Sequence, residues 1–255
     1  MGFTYLEKQL HCDGASIRQA AGTVGTPFYC YSAQTLRENF GRYREHFSPE
    51  RALVCFAVKA NSNQSVLKLL AGQGAGADVV SGGELKRALL AGIPADRIVF
   101  SGVAKTAEEM SYALEQGIFQ FNVESEPELE RLNGVALSMG LRAAVAFRVN
   151  PDIDAGTHEK ITTGKAVTKF GIPWTRAPEV YRRASQLAGI RLQGVAMHIG
   201  SQLTELAPFR KAFACLAELT RSLREQGQEI TVLDIGGGLG ICYNDGAPRP
   251  PSLQS

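Results

Sequence analysis

From residue 27 onward the chain alternates short apolar runs with longer stretches of helical periodicity. Each run is rich in β-branched or aromatic residues and ends in a polar or glycine-containing tip. The predicted strands are Pro27–Tyr31, Leu53–Lys59, Gly76–Ser81, Ile98–Ser101, Phe119–Val123, Ala143–Asn150, Leu192–His198 and Ile230–Ile235. The predicted helices are Asn63–Ala71, Gly83–Ala91, Thr106–Gln116, Glu126–Met139, Ala177–Leu187 and Pro208–Gln226. This alternation is typical of βαβ units with a parallel sheet.

Two architectures fit the pattern equally well. Eight strand–helix units suit a (β/α)8 TIM-type barrel, and a doubly wound sheet is the alternative that periodicity does not exclude. Residues 1–26 fit the alternation poorly, so we interpret them as an added N-terminal arm and residues 27–255 as the barrel. The tail Tyr243–Ser255 is proline-rich and aperiodic, which predicts a loop.

Composition narrows the function. The chain is 44% hydrophobic and 20% charged with a net charge of +2, which gives no reason to expect nucleic acid or a membrane surface as a partner. No apolar run approaches the ~18 residues of a membrane-spanning helix, and the N-terminus lacks signal-peptide order, so we expect a cytoplasmic protein. Five scattered cysteines predict free thiols, and four unclustered histidines argue against a metal enzyme.

Ligands of parallel α/β proteins bind at the carboxyl ends of the strands. Lys59 directly follows an apolar run, where desolvation would lower its pKa and make the amine nucleophilic enough for a Schiff base. Taken alone, Lys59 is better interpreted as a lysine that extends from a strand end to solvent, because buried lysines are rare. His198 ends the seventh run, which favours either a ring stacked on a flat cofactor or an ordinary core histidine.

The eighth run leads into a glycine-rich turn. Gly236, Gly237 and Gly238 would let backbone N–H groups turn towards an anion, and phosphate sites after a late strand are recurrent in barrels. The spacing is not the dinucleotide fingerprint, because Ile241 stands where its last glycine belongs. A simple tight turn remains the alternative.

Further polar residues end the other strands. They are Asp78, Asn122, Glu124, Arg148 and Asn150. Any one of them could be an ordinary surface residue. A lysine, a stacking ring and a phosphate-binding turn at one rim together describe a site for pyridoxal 5'-phosphate (PLP).

The motifs carry a family resemblance. They are Cys55–Asn61 (CFAVKAN), Ala77–Leu85 (ADVVSGGEL), Phe121–Ser125 (FNVES), Arg148–Pro151 (RVNP), His198–Gln202 (HIGSQ) and Leu233–Gly240 (LDIGGGLG). In this order they resemble the barrel-type, fold type III PLP-dependent decarboxylases, whose barrel is alanine racemase-like. The segment Thr157–Gly171 is similar to the lid of the diaminopimelate branch.

The resemblance implies roles for individual residues. Lys59 matches the lysine that binds PLP as a Schiff base, and His198 matches the histidine stacked on the pyridine ring. Ser201 and Gly236–Gly238 match phosphate-binding groups, whereas Asp78 and Arg148 match polar groups that support the ring. The implied reaction is decarboxylation of meso-2,6-diaminopimelate to L-lysine, the last step of lysine biosynthesis, by a homodimer acting on a small amino-acid substrate.

One departure from the family is large. Members carry an E-P-G-R segment after the glycine turn and then a C-terminal β-domain, and residues 241–255 contain neither. We therefore expect an inactive fragment in which the arm, residues 1–26, lacks the β-domain against which it would pack. The alternatives are a decarboxylase for ornithine, arginine or carboxynorspermidine, and a non-catalytic PLP-binding barrel protein.

Overall fold

The computed structural model describes residues 2–48, 50–153, 170–243 and 250–252. The strands are β1 (Phe3–Leu6), β2 (Gln9–Cys12), β3 (Ala15–Ser16), β4 (Cys55–Ala57), β5 (Gly76–Val79), β6 (Ile98–Phe100), β7 (Gln120–Val123), β8 (Ala143–Asn150), β9 (Ile172–Pro173), β10 (Ile190–Ala196) and β11 (Val232–Asp234). The helices are α1 (Ile17–Val24), α2 (Ala33–His46), α3 (Gln64–Gly72), α4 (Gly82–Leu90), α5 (Ala107–Gln116), α6 (Glu126–Ser138), α7 (Ala177–Ala184) and α8 (Ala207–Glu225).

The main sheet is parallel and follows the order β11-β10-β8-β7-β6-β5-β4, with the short β9 paired to β8. Its strands connect to helices through short turns that also cap the helices. Ser81, Thr106 and Ser125 each accept a hydrogen bond from a backbone N–H three residues later, and Glu109 completes a capping box with Thr106. These caps satisfy the first helical N–H groups and fix where each strand tip ends.

Alternation along the strands separates an apolar outer face from a polar inner face. On β7, Phe121 and Val123 join the apolar core that the helices cover, whereas Gln120 and Asn122 contact other polar side chains. All four are buried. Successive side chains of a strand point to opposite faces, so the polar pair faces the concave side of the sheet.

The sheet is strongly curved. The Nδ2 atom of Asn122 on β7 lies 2.7 Å from Oδ2 of Asp234 on β11, although these strands are three places apart in the sheet. In a flat sheet that separation would be about 14 Å. The predicted (β/α) barrel class is therefore confirmed, but as a half-barrel: among the described residues β4 and β11 remain edges and the eight-stranded ring is not closed.

One predicted strand is wrong. Pro27–Tyr31 has no ladder partner and crosses the surface. The run was predicted as a strand because aromatic residues are frequent in strands. In the structure, however, Tyr29 is 90% exposed and its ring stacks on that of Tyr31, with the ring centroids 6.5 Å apart. Pro27 also offers no backbone N–H to a ladder. The run Leu53–Lys59 is shorter than predicted, because a 3-10 turn at Val58–Ala60 ends β4.

The N-terminal arm forms a small antiparallel sheet, β1 to β3, followed by α1. Asp13 joins it to the start of α2, since its carboxylate accepts hydrogen bonds from Ser32 Oγ at 2.7 Å and from the Gln34 N–H at 3.1 Å. Docking of residues 1–26 against a further domain stays a prediction.

Two predicted segments fall largely outside the described residues. Of the lid segment Thr157–Gly171, only Phe170 and Gly171 are described, and of the tail Tyr243–Ser255 only residues 243 and 250–252. No helix in the described part of the chain has the length and apolarity needed to cross a bilayer.

Candidate active site

Lys59 lies at the carboxyl end of β4, inside the 3-10 turn that follows the strand. It is exposed, so the expectation of a desolvated lysine is wrong in this structure. The reason is local: β4 is an edge strand among the described residues, and the turn that ends it buries Val58 in the core while it leaves the next residue, Lys59, at the surface. The backbone register pairs Ala57 with Asp78 on β5, which brings the Asp78 carboxylate into electrostatic contact with the Lys59 amine.

Asp78 faces the concave side of the sheet and accepts a hydrogen bond from Ser101 Oγ at 2.6 Å. Burial raises the pKa of its carboxyl to about 6, although the Ser101 hydrogen bond and the charge of Lys59 act in the opposite direction. The negative charge of Asp234 adds to the increase. This group therefore changes charge within the range where many enzymes work.

Polar side chains extend this contact across the concave face. Asn122 donates from Nδ2 to Ser101 Oγ at 3.1 Å and to Asp234 Oδ2 at 2.7 Å. Gln120 Nε2 donates to Asn122 Oδ1 at 2.8 Å. A continuous network thus joins the carboxylate beside Lys59 to the acid that precedes the glycine turn.

His198 follows β10 and packs beside that turn. Its Nδ1 accepts the backbone N–H of Gly237 at 3.4 Å, which fixes the ring against the loop. Burial lowers the pKa of the imidazole to about 4, and the charges of Arg148 and Lys59 contribute to the decrease. At neutral pH the ring is therefore uncharged and can lie on a flat, electron-poor ligand.

The glycine turn contains two packed positions and one open position. Gly236 and Gly238 have φ of +68° and +106°, and a Cβ on either would approach a backbone oxygen, that of Met197 at 2.4 Å or that of Gly200 at 2.0 Å. A Cβ on Gly237 would meet no atom within 4 Å. The turn therefore keeps an unobstructed cradle at Gly237, bordered by residues that only glycine fits.

The second loop at this rim holds the turn in place. Leu203 N–H donates to Gly238 O at 2.8 Å, and Gly240 N–H donates to Leu203 O at 2.9 Å. Ser201 precedes this bridge and is exposed, so its hydroxyl is accessible at the cradle side of the rim. An anion bound at this turn would be held by backbone N–H groups and a hydroxyl.

Arg148 has a supporting position on β8. Its Nη1 lies 3.2 Å from Glu124 Oε1, and its guanidinium lies 5.0 Å from the centroid of the Phe170 ring. Glu124 Oε1 also accepts the backbone N–H of Gly102 at 3.2 Å. The side chain is thus fixed at the rim, where its charge acts on His198.

Comparison with known proteins identifies the family. The model for "Pyridoxal-dependent decarboxylase, pyridoxal binding domain" matches residues 33–252. The chain belongs to the pyridoxal-dependent decarboxylases. The cofactor expected from the sequence, PLP, agrees with this family.

Individual relatives point to one branch of the decarboxylases. Over 240 residues the chain is 50% identical to the diaminopimelate decarboxylase of Zymomonas mobilis, covering 93% of this chain and 57% of that protein. The crystal structure of diaminopimelate decarboxylase from M. jannaschii in complex with L-lysine superposes with a TM-score of 0.91 at 37% identity, covering 99% of this chain and 60% of that one. The structure of the Helicobacter pylori diaminopimelate decarboxylase complexed with L-lysine has a TM-score of 0.88 at 41% sequence identity. The match covers 92% of this chain and 59% of that one. The chain thus spans somewhat under two thirds of the relatives it matches.

The rim fits the family's cofactor. A phosphate requires an open anion cradle, which Gly237 provides, and the aldehyde requires an accessible amine, which Lys59 provides. The His198 ring accepts the Gly237 N–H, and the charge of Lys59 acts on its pKa. All of the residues predicted from the sequence therefore lie at one rim, and their individual roles toward PLP stay predictions.

Sequence reasoning assigned no role to several polar residues that extend from this rim across the concave face of the sheet. Ser101 and Asp234 were visible only as strand ends, and Gln120 and Gln193 only as interruptions of apolar runs. A polar residue inside an otherwise apolar strand was the available signal. It could not reveal which of the polar residues contact one another across the curved sheet.

Proposed function

We propose that this chain forms the PLP-binding part of a diaminopimelate decarboxylase, which removes one carboxylate of meso-2,6-diaminopimelate and yields L-lysine. The observation that carries the proposal is the convergence of Lys59, Asp78, His198 and the glycine cradle in a chain 50% identical to such an enzyme. The two solved relatives that were crystallised with L-lysine support the choice of product.

The residues divide the chemistry among them. PLP, when bound, supplies the electron sink that accepts the electron pair left by the departing carboxylate. Lys59 would hold the cofactor through its amine. The same amine would hold a proton close to the reacting carbon, where general acid catalysis requires it.

The other residues bind and orient. The open turn at Gly237 and the Ser201 hydroxyl would hold the phosphate end of the cofactor. The His198 ring would cover a face of the cofactor and exclude water from it. Asp78 places a carboxylate beside the Lys59 amine.

Further features of the enzyme are proposed from the family resemblance. We place the contacts to the distal end of the substrate in the part of the relatives that this chain does not match, and we propose a cytoplasmic homodimer. Remote contacts orient the scissile carboxylate, so the 255 residues alone are expected to bind PLP weakly and to release no measurable carbon dioxide.

A lysine-release assay tests the proposal. The 255-residue chain is compared with a chimera that adds the unmatched C-terminal portion of the Zymomonas mobilis relative. We expect lysine formation from meso-diaminopimelate only by the chimera, and none by the chimera carrying Lys59→Ala. Turnover of ornithine or arginine in preference to diaminopimelate would refute the assignment of substrate, and full activity of the 255 residues alone would refute the assignment of the missing contacts.

A further inference from the structure

Asn122 occupies a branch point between the two ends of the candidate site. One Nδ2 contact goes to Ser101 Oγ, which in turn donates to Asp78 beside Lys59. The other goes to Asp234 Oδ2. Asn122 is buried, so each of these contacts replaces water that the side chain would otherwise bind.

Asp234 connects this branch point to the glycine turn. Its Oδ1 atom accepts the backbone N–H of Gly236 at 2.9 Å, while its Oδ2 atom accepts from Asn122. Gly236 begins the turn and has φ of +68°. The Gly236 N–H is therefore used within the protein, and the conformation in which the turn begins is set by a carboxylate that Asn122 holds from the other side of the half-barrel.

The orientation of the Asn122 amide is itself fixed. Gln120 Nε2 donates to its Oδ1, Gln193 Nε2 donates to Gln120 Oε1 at 3.1 Å, and Arg191 Nη1 donates to Gln193 Oε1 at 2.7 Å. Each amide in this series donates to the next one, and Asn122 at its end donates to the Asp234 carboxylate. Reversal of Asn122 would aim its carbonyl oxygen at the Asp234 carboxylate, so only one orientation satisfies all partners.

We propose that Asn122 is a positioning residue that sets the phosphate cradle through Asp234. This inference rests on the proposed PLP-binding function. Asn122 does not touch the cradle, so it acts on the affinity for the phosphate by fixing Asp234 and, through it, Gly236. Because preorganised N–H groups bind an anion without a further ordering cost, loss of the Asn122 contact weakens phosphate binding.

Exchange of the two partners provides the test. Asn122→Asp and Asp234→Asn each disturb this contact with almost no change in volume. The first opposes two carboxylates. The second leaves one side-chain oxygen at position 234 for two donors, the Asn122 amide and the Gly236 N–H, so one of the two contacts is lost. In the double variant the bond is restored with the donor and the acceptor exchanged, and residue 234 can still accept the Gly236 N–H.

The readout is the ratio of the affinities for PLP and for pyridoxal, which lacks the phosphate, measured by titration of the 255-residue chain. We expect each single variant to lower the ratio about tenfold, the effect of one hydrogen bond to a charged group. The double variant should return it to within about threefold of wild type. Ser101→Ala, which breaks only the Asp78 branch, should leave the ratio unchanged.

A merely structural role predicts a different result, because loss of packing would weaken both ligands equally and leave the ratio constant. An unchanged ratio in the single variants, or a double variant no better than either of them, overturns the inference. If Asn122→Asp fails to fold, Asp234→Asn gives the same decision. Failure of the wild-type chain to bind PLP would overturn the proposed function as well, so the two failures are distinguishable.

Discussion

Two lysines lie near the carboxyl ends of neighbouring parts of the sheet, and they have opposite environments. Lys105, between β6 and α5, is buried and donates from Nζ to Gly102 O at 2.6 Å, to Asn122 O at 2.8 Å and to Glu128 Oε1 at 2.7 Å. Lys59 is exposed, and within the described residues it makes no hydrogen bond or ion pair. Its electrostatic partner is the Asp78 carboxylate.

This difference separates a structural amine from an available one. An ammonium group has three donors, and Lys105 uses all of them on fixed acceptors, so it joins β6, β7 and α6. Lys59 makes no such hydrogen bonds within the described residues. It can therefore form a bond to a ligand without leaving a buried acceptor unsatisfied. Desolvation was the expected mark of the reactive lysine, but in this molecule the more buried lysine is the structural one.

The largest expected effect follows from breaking the Lys105 cluster. Lys105→Met leaves Glu128 buried beside Glu124 without its cation, and removal of one partner of a buried ion pair costs about 3–5 kcal/mol. We expect the free energy of unfolding in urea to fall by that amount. Lys59→Met is the matched control, and a change within about 0.5 kcal/mol is expected for it.

The comparison would be wrong if both methionine variants lost the same stability. It would also fail if Lys59→Met were the more damaging of the two, since Lys59 would then be the structural lysine.

The next effect concerns Asp78, the carboxylate beside Lys59. The folded pKa of Asp78 is raised from 3.8 to about 6, so between these values the folded state keeps a proton that the unfolded state has released. The free energy of unfolding therefore decreases as the pH rises through this window. Two pKa units correspond to about 3 kcal/mol.

Asp78→Asn removes this titration while keeping an acceptor for Ser101. We expect the variant to be more stable than wild type by about 2–3 kcal/mol near pH 8, and the difference to vanish towards pH 4. Urea titrations across the pH range measure it. A pH-independent difference would show that burial of the Asp78 charge is not its cause.

The smallest expected effect concerns the glycine turn, in which Gly238 is packed against other atoms and Gly237 faces open space. Gly238→Ala places a Cβ against Gly200 O at positive φ and should reduce stability by about 1–3 kcal/mol. Gly237→Ala meets open space, so stability should change by less than about 0.5 kcal/mol while PLP affinity falls. Equal PLP affinity in Gly237→Ala and wild type would contradict a phosphate at this position.

Much of the half-barrel could be predicted because strand periodicity is a local property. Seven of the eight predicted strand positions hold, and the wrong one, Pro27–Tyr31, failed where aromatic residues occur on the surface. Whether the ring closes could not be predicted, because closure depends on contacts between β4 and β11, strands that are distant in the chain. The curvature that joins Asn122 to Asp234 is equally non-local.

The site was predictable to the level of strand tips. Lys59, His198 and the glycine turn each follow an apolar run, and position alone marks them. Environment was not predictable: the exposure of Lys59 depends on a 3-10 turn at an edge strand, and the network through Ser101 and Asn122 depends on side chains that meet across the sheet. The structural role of Lys105 was not predicted, because this residue does not directly follow an apolar run.

The central claim is that Lys59, and not the buried Lys105, is the lysine that binds PLP. The most direct measurement is reduction of the PLP-treated chain with borohydride, followed by identification of the labelled peptide by mass spectrometry. We predict label on Lys59, its loss in Lys59→Ala, and its retention in the control Lys68→Ala, which changes an exposed lysine on α3. Label on Lys105, or undiminished specific label in Lys59→Ala, would contradict the account.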